Sequence, residues 1–172
     1  MNAENARFLV EHYARLMESE FPATVKVLAA VRDENRDYKP DDKSRSAFEL
    51  ARHIATSDMW FLDSIINGRF EFNPEAAQQA EAQFKSVNDV VEFYKQALPE
   101  KLKALRAMSP EAMTREVDFF GFHKAPAVIF LGMANNHGIH HRGQLASYLR
   151  AHGSKVPAIY GGSADEPMQT AG

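Results

Sequence analysis

Ala134-Asn-Asn-His137-Gly-Ile-His140-His141-Arg142-Gly143-Gln144-Leu145 carries three of the seven histidines of the chain. At about 100° of rotation per helical residue, His137 and His141 lie only ~40° apart on one face, while His140 falls ~80° from the midline of that pair and belongs on the flank. The same face continues backward to Phe130, Met133 and Ala134 and forward to Gln144, Leu145 and Tyr148, the pattern of a core-facing stripe on an amphipathic helix. Two imidazoles four residues apart are either core histidines satisfied by neighbours or one edge of a metal site. Two ligands leave a divalent ion under-coordinated, whereas three protein ligands with one open position make a catalytic centre. A third ligand therefore decides between the two readings.

Upstream of this stretch the chain reads as helices joined by polar connections. From Ala3 to about Arg32 the apolar positions recur at helical spacing, with a kink or break expected near Glu20-Phe21 because Pro22 removes a backbone donor. His12 lies on this stripe among aromatic and aliphatic neighbours, as core or interface packing. Asp33 to Arg45 is a connection. Ser46-Ala-Phe-Glu49 has the form of a capping box and opens a second helix that Asn67-Gly68 closes. Its stripe is Leu50, His53, Ile54, Ser57, Phe61 and Ile65, so His53 sits mid-face and is the candidate third ligand. Met59, Trp60 and Phe61 can wall a pocket beside it.

Gly68 to Lys85 reads as a lid-like connection with a short helical turn within Glu75–Gln83. Ser86 to Asp89 caps a third helix that runs to about Met108 and is bent at Pro99, and Ser109-Pro110-Glu111 caps a further short turn. Val117 to Lys124, with His123, is an irregular aromatic-rich approach to a fourth helix that starts near Pro126 and ends at His152-Gly153. The tail from Ser154 to Gly172 is non-helical, packs back through Val156, Ile159 and Tyr160, and then frays. Four helical segments without convincing period-two runs indicate an all-α four-helix bundle with an irregular C-terminal tail, formed by one domain over residues 1–172.

Composition narrows the function. The chain has no cysteine, which excludes disulfides, iron–sulfur clusters, thiolate zinc and a thiol nucleophile of its own, and leaves any metal to histidine, carboxylate and water. A formal charge of −3 gives no footprint for nucleic acid or anionic lipid. No apolar run approaches the ~20 residues of a membrane span, and the N-terminus lacks the pattern of a secretory signal, so a cytoplasmic location is expected.

His137-x-x-x-His141-Arg142-Gly143-Gln144-Leu145, with His53 in Glu49-Leu-Ala-Arg-His-Ile-Ala, resembles the DinB-like (DinB/YfiT) superfamily of metal-dependent four-helix-bundle proteins. Lys43-Ser-Arg-Ser, Phe120-Gly121 and Lys155-Val-Pro-Ala-Ile-Tyr-Gly-Gly-Ser-Ala-Asp-Glu166 extend the likeness over nearly the whole chain. The resemblance implies a bundle of unusual helix order, assembled as a homodimer, with one divalent ion per chain on His53, His137 and His141. It also implies a small-molecule substrate and, in members of known activity, a low-molecular-weight thiol or metal-dependent hydrolysis.

Imidazole ligands suit zinc or nickel first, with iron, manganese and copper compatible. Such an ion can activate a thiol for S-transfer to an electrophile or a water for hydrolysis. A zincin-type peptidase is disfavoured, because Gly138 stands where that mechanism needs glutamate. Gln144 is a candidate to orient a ligand, and Glu49 is a candidate second partner whose capping position already gives it structural work. Arg142 points off the ligand stripe, towards a salt bridge that anchors the tail or a dimer, and Gly143 suits close helix contact. The competing class is a non-catalytic metal- or small-molecule-binding dimer.

Overall fold

The computed structural model describes residues 1–168. Four long helices, α1 (Ala3–Ala29), α2 (Ala47–Asn67), α4 (Val87–Arg106) and α6 (Phe130–Ala151), form the bundle. Between them lie the short helices α3 (Pro74–Ala82) and α5 (Pro110–Thr114) and the strands β1 (Glu116–Phe119) and β2 (His123–Pro126). Helix α2 is the centre of the assembly: it packs against α6 on one side and α4 on the other, and α1 closes the far side against both. Leu28, Leu50, Ile54, Leu62, Ile65, Leu102, Leu131 and Leu145 are essentially inaccessible and fill the middle. No helix among the described residues is long and apolar enough to cross a membrane.

The helix starts follow their local chemistry. Ser46 accepts from the backbone N–H of Glu49 while Glu49 accepts from that of Ser46, and Ser86 and Asp89 repeat the arrangement on α4. Gly68 ends α2 in the left-handed conformation (φ 73°) that costs a glycine little. Two expectations about α1 need correction. The helix runs unbroken through Pro22 and stops at Ala29 rather than Arg32. Pro22 is on the solvent face, so water can meet the carbonyl it leaves unpaired, while Met17, Thr24, Val27 and Leu28 hold the opposite face in the core. Pro99 likewise lies inside a continuous α4, on its exposed side.

The approach to α6 is also more regular than its sequence suggests. Strands β1 and β2 pair as an antiparallel hairpin in the register Val117↔Ala125. Each strand has four residues and buries one, so no alternation is long enough to be read. Phe120 and Gly121 both take positive φ at the turn, and the Asp118 carboxylate accepts from Gly121 N–H at 2.8 Å. A 3-10 turn, Ala127–Ile129, then delays α6 to Phe130 instead of Pro126.

The tail does pack back. Val156 and Ile159 rest on the core, and Asp165 accepts from both Arg150 and the Val156 N–H. The fraying expected at its end lies outside the described residues.

Candidate metal centre

His53 on α2 and His137 and His141 on α6 come together in the groove between those helices. Each offers a ring nitrogen, and the three nitrogens lie within 4.8 Å of one another. Ring centroids are 5.2 Å apart for His53 and His137, 4.7 Å for His53 and His141, and 4.4 Å for His137 and His141. All three rings are half-buried, at the edge of the bundle rather than in its middle. The buried face of α6 is Phe130, Leu131, Ala134, Asn135, Arg142, Leu145, Tyr148 and Leu149, so Phe130, Ala134, Leu145 and Tyr148 of the expected stripe do face inward, whereas Met133 is exposed and the two histidines lie at the edge. His140 is exposed beside His141 and outside the cluster, and His123 is exposed on β2 against Phe130. His12 is exposed as well, stacked one turn from Phe8.

Neighbours set the rings. The Gln144 carbonyl oxygen is 3.0 Å from Nδ1 of His141, and its amide nitrogen donates to the Tyr148 hydroxyl at 3.3 Å. With its oxygen turned to the ring, Gln144 accepts the Nδ1 proton and leaves Nε2 as a lone-pair donor. The Ser57 hydroxyl is 3.0 Å from Nδ1 of His53, and a carboxylate oxygen of Glu81 is 3.8 Å from the same nitrogen. Nδ1 of His137 is buried with no partner. Burial pushes His137 down to about 4, helped by the charges of His141, His53, His140 and Arg45. Burial also lowers His141, opposed by its bond to Gln144. Three converging imidazole nitrogens, beside a buried Nδ1 of His137 that has no partner, fit a borderline divalent ion that takes nitrogen ligands.

Glu49 lies elsewhere. Its carboxylate caps α2 and meets Lys39 at 3.5 Å, and it makes no hydrogen bond to an imidazole. Glu81, on the nine-residue α3, is the carboxylate beside the triad, and the sequence did not point to it because a short helix in a connection has no fixed register to α2. Gly143 is not a close-contact glycine, since a Cβ there meets nothing within 4 Å. Gly132 and Gly138 have that role: a Cβ would come to 2.9 Å from the Tyr13 hydroxyl and to 3.1 Å from the Asp58 carboxylate, respectively.

His53 and His137 of the triad open onto a pocket of about 570 Å³ between α2 and α3. Trp60, Phe61 and Phe72 form one wall and the alanine face of α3 the other, so α3 lies over the site as a lid. Met59 is buried away from it. The hairpin helps close the aromatic end, where Phe120 stacks on Trp60 with an interplanar angle of 9°.

A bundle of this order with a three-imidazole groove defines a class, and the sequence comparison agrees with it. The DinB family's sequence model matches residues 1–171, and this chain belongs to the DinB family. YjoA of Bacillus subtilis (strain 168) is 30% identical over 140 residues, 80% of this chain and 86% of YjoA. The crystal structure of the YjoA DinB-like protein superposes with a TM-score of 0.65 at 28% identity, covering 88% of this chain and 96% of that one.

Two more distant structures share the fold. YfiT from Bacillus subtilis, described as a probable metal-dependent hydrolase with an unusual four-helix bundle topology, gives a TM-score of 0.68 at 13% identity over 85% of this chain and 89% of that one. A mycothiol-dependent maleylpyruvate isomerase gives 0.57 at 16% identity over 84% of this chain and 61% of that one.

Proposed function

We propose that this chain is a metal-dependent enzyme in which His53, His137 and His141 hold one divalent ion, zinc or nickel first, for thiol-dependent transfer to a small electrophile. The observation that carries the reading is a triad of imidazoles with nitrogens within 4.8 Å of one another, two of which, His53 and His137, line a pocket large enough for a small molecule. The ion would supply a Lewis acid that lowers the pKa of an incoming thiol or water. The side chains do the rest. Gln144 and Ser57 hold the rings of His141 and His53 in orientation. Trp60, Phe61 and Phe72 supply the apolar wall against which a small substrate would lie.

The shared fold with a mycothiol-dependent isomerase supports the thiol reading. A second reading, hydrolysis, is favoured by Glu81, which stands beside His53 and can accept a proton from water, and by the description of YfiT. The homodimer belongs to the same proposal, and the exposed Phe8, Ile129 and Met133 offer apolar surface for it.

Elemental analysis of the purified protein beside His53→Ala and His137→Ala variants tests the metal. One equivalent in the wild type and loss of most of it in both variants is the expected result. A wild type that stays empty after incubation with zinc or nickel overturns it. On the loaded protein, transfer of a low-molecular-weight thiol to a small electrophile is expected to exceed ester hydrolysis, and the reverse order selects the second reading.

A further inference from the structure

Three arginines surround the start of α2, and two are committed to packing. Arg36 donates to the Lys85 carbonyl at 2.9 Å, Arg52 to the Glu81 carbonyl at 3.4 Å, and both stack on the ring of Phe48. Arg45, one residue before the cap, makes no hydrogen bond or ion pair among the described residues, although it is exposed at the rim of the site.

Among the described residues it is the one lysine or arginine in the wall of the imidazole pocket, and it also lines an adjoining polar cleft of about 410 Å³. Its charge reaches His137 and His141. Of the two carboxylates in the pocket wall, Glu81 faces His53 and Glu71 meets Arg69 at 3.5 Å. Arg45 is thus a cation without an anion, set between the imidazoles and the outer cleft.

We propose that the substrate of this pocket is an amphiphilic carboxylate: an apolar body seated between Trp60 and the alanine face of α3, with its anionic group on Arg45. A guanidinium suits this because its planar fork matches a carboxylate bidentately and it stays charged at all working pH values. The walls that flank the body, Trp60, Phe61 and Phe72 on one side and Ala76, Ala77 and Ala80 on the other, are apolar, and the Trp60 N–H is already given to the Glu71 carbonyl. Thr56, Ser57 and Asn73 are the uncharged polar side chains of the lining, so a body with few hydrogen-bonding groups suits it. The same wall holds His53, His137 and Arg45, so an anion on Arg45 fixes which part of the molecule faces the imidazoles. This rests on the reading of the pocket as the substrate site, and it is testable apart from the metal.

Trp60 is the single tryptophan of the chain and lines the pocket, so its emission reports occupancy. The purified protein is titrated with 3-phenylpropionate and with its uncharged amide, and metal content is determined on the same samples. The acid is expected to bind at least about tenfold tighter than the amide, a difference of about 1.4 kcal/mol. Arg45→Ala is expected to bring the two to equal affinity, and Arg45→Lys to keep part of the preference.

Equal binding of acid and amide by the wild type, or no binding of either, overturns the assignment. So does a preference that survives Arg45→Ala and disappears in His137→Ala, which would place the carboxylate on a metal instead. An empty protein that still prefers the acid would count against the metal reading alone, and a loaded protein that binds both alike would count against Arg45 alone.

Discussion

Asp58 lies on α2 directly opposite Gly138 of α6, and its presence explains why the residue after His137 has no side chain. Tyr94 donates to one carboxylate oxygen of Asp58 at 2.8 Å, while the other is buried with no partner. Burial pushes Asp58 up to about 7, against the Tyr94 hydrogen bond and the charge of Arg142. An unfolded aspartate titrates near ~3.9. Between those two values the native state holds the proton that the unfolded chain has lost, so the contribution of Asp58 to stability is full below the lower value and is lost as pH rises through the upper. Asp58→Asn removes that dependence. The variant is expected to be more stable than the wild type by ~1–2 kcal/mol at about pH 8, and to differ little at about pH 4. Thermal melts across that range check it, and parallel curves would show that Asp58 ionises like a surface carboxylate. At this scale the His137–His141 pair was legible in the sequence because helical period alone puts the two on one face, and His53 because it interrupts the apolar stripe of α2, while their meeting depends on the packing of α2 against α6. Asp58, Glu81 and Arg45 were not, because each matters through a partner distant in sequence or through the lack of one.

The position of His53 depends on where α2 begins, and that is fixed by its first turn. Ser46 is buried, its hydroxyl accepts from the Glu49 N–H at 3.1 Å, and Glu49 returns the bond at 2.6 Å. Desolvation aside, the Glu49 carboxyl is held below its ordinary value chiefly by the Ser46 N–H, so it is the ionised acceptor that the cap requires. Ser46→Ala is expected to cost about 1 kcal/mol, with a matching fall in denaturation midpoint and no change in helix count. Urea titration followed by circular dichroism measures it, and an unchanged midpoint would show that packing of Ala47, Phe48 and Leu50 alone sets the helix start. Caps of this kind were readable because serine and an acid three residues on state their chemistry locally, and Gly68 and Gly153 marked the helix ends for the same reason. The unbroken α1 was not readable. Whether a proline ends a helix depends on which face it occupies, and only packing decides that. The β1–β2 hairpin escaped because four-residue strands carry too little pattern, and of its turn aromatics Phe120 covers Trp60 while Phe122 is exposed, so neither signals a strand.

Arg142 joins the parts of the molecule that lie farthest apart in the chain. It is 2% exposed, and it donates to the Glu20 carboxylate and backbone carbonyl, to Thr24 on α1, and to the Tyr160 hydroxyl of the tail. Tyr160 in turn donates to Glu20 at 2.9 Å, so α1, α6 and the tail meet at one guanidinium. The sequence reading of Arg142 as an anchor for the tail holds, but the anchor is buried in the bundle rather than laid on its surface. A buried pair is not by itself a large source of stability, because both charges lose their water. Removing one partner is another matter, since the remaining charge stays desolvated without compensation. Arg142→Met is therefore expected to cost about 3 kcal/mol. Adding Glu20→Gln to that variant is expected to restore part of the loss, because the orphaned charge goes with it. A double-mutant cycle by denaturant unfolding separates the coupling from the single effects. A loss of less than about 1 kcal/mol for Arg142→Met, the range of exposed ion pairs, would show that the tail and α1 are held by the apolar contacts of Val156, Pro157 and Ile159 instead. Because Arg142 follows His141 directly in α6, the same network also fixes the rotation of the helix that presents two of the three imidazoles. The variant should therefore bind metal less tightly as well as unfold more readily, while the Glu20→Gln addition restores stability more than affinity.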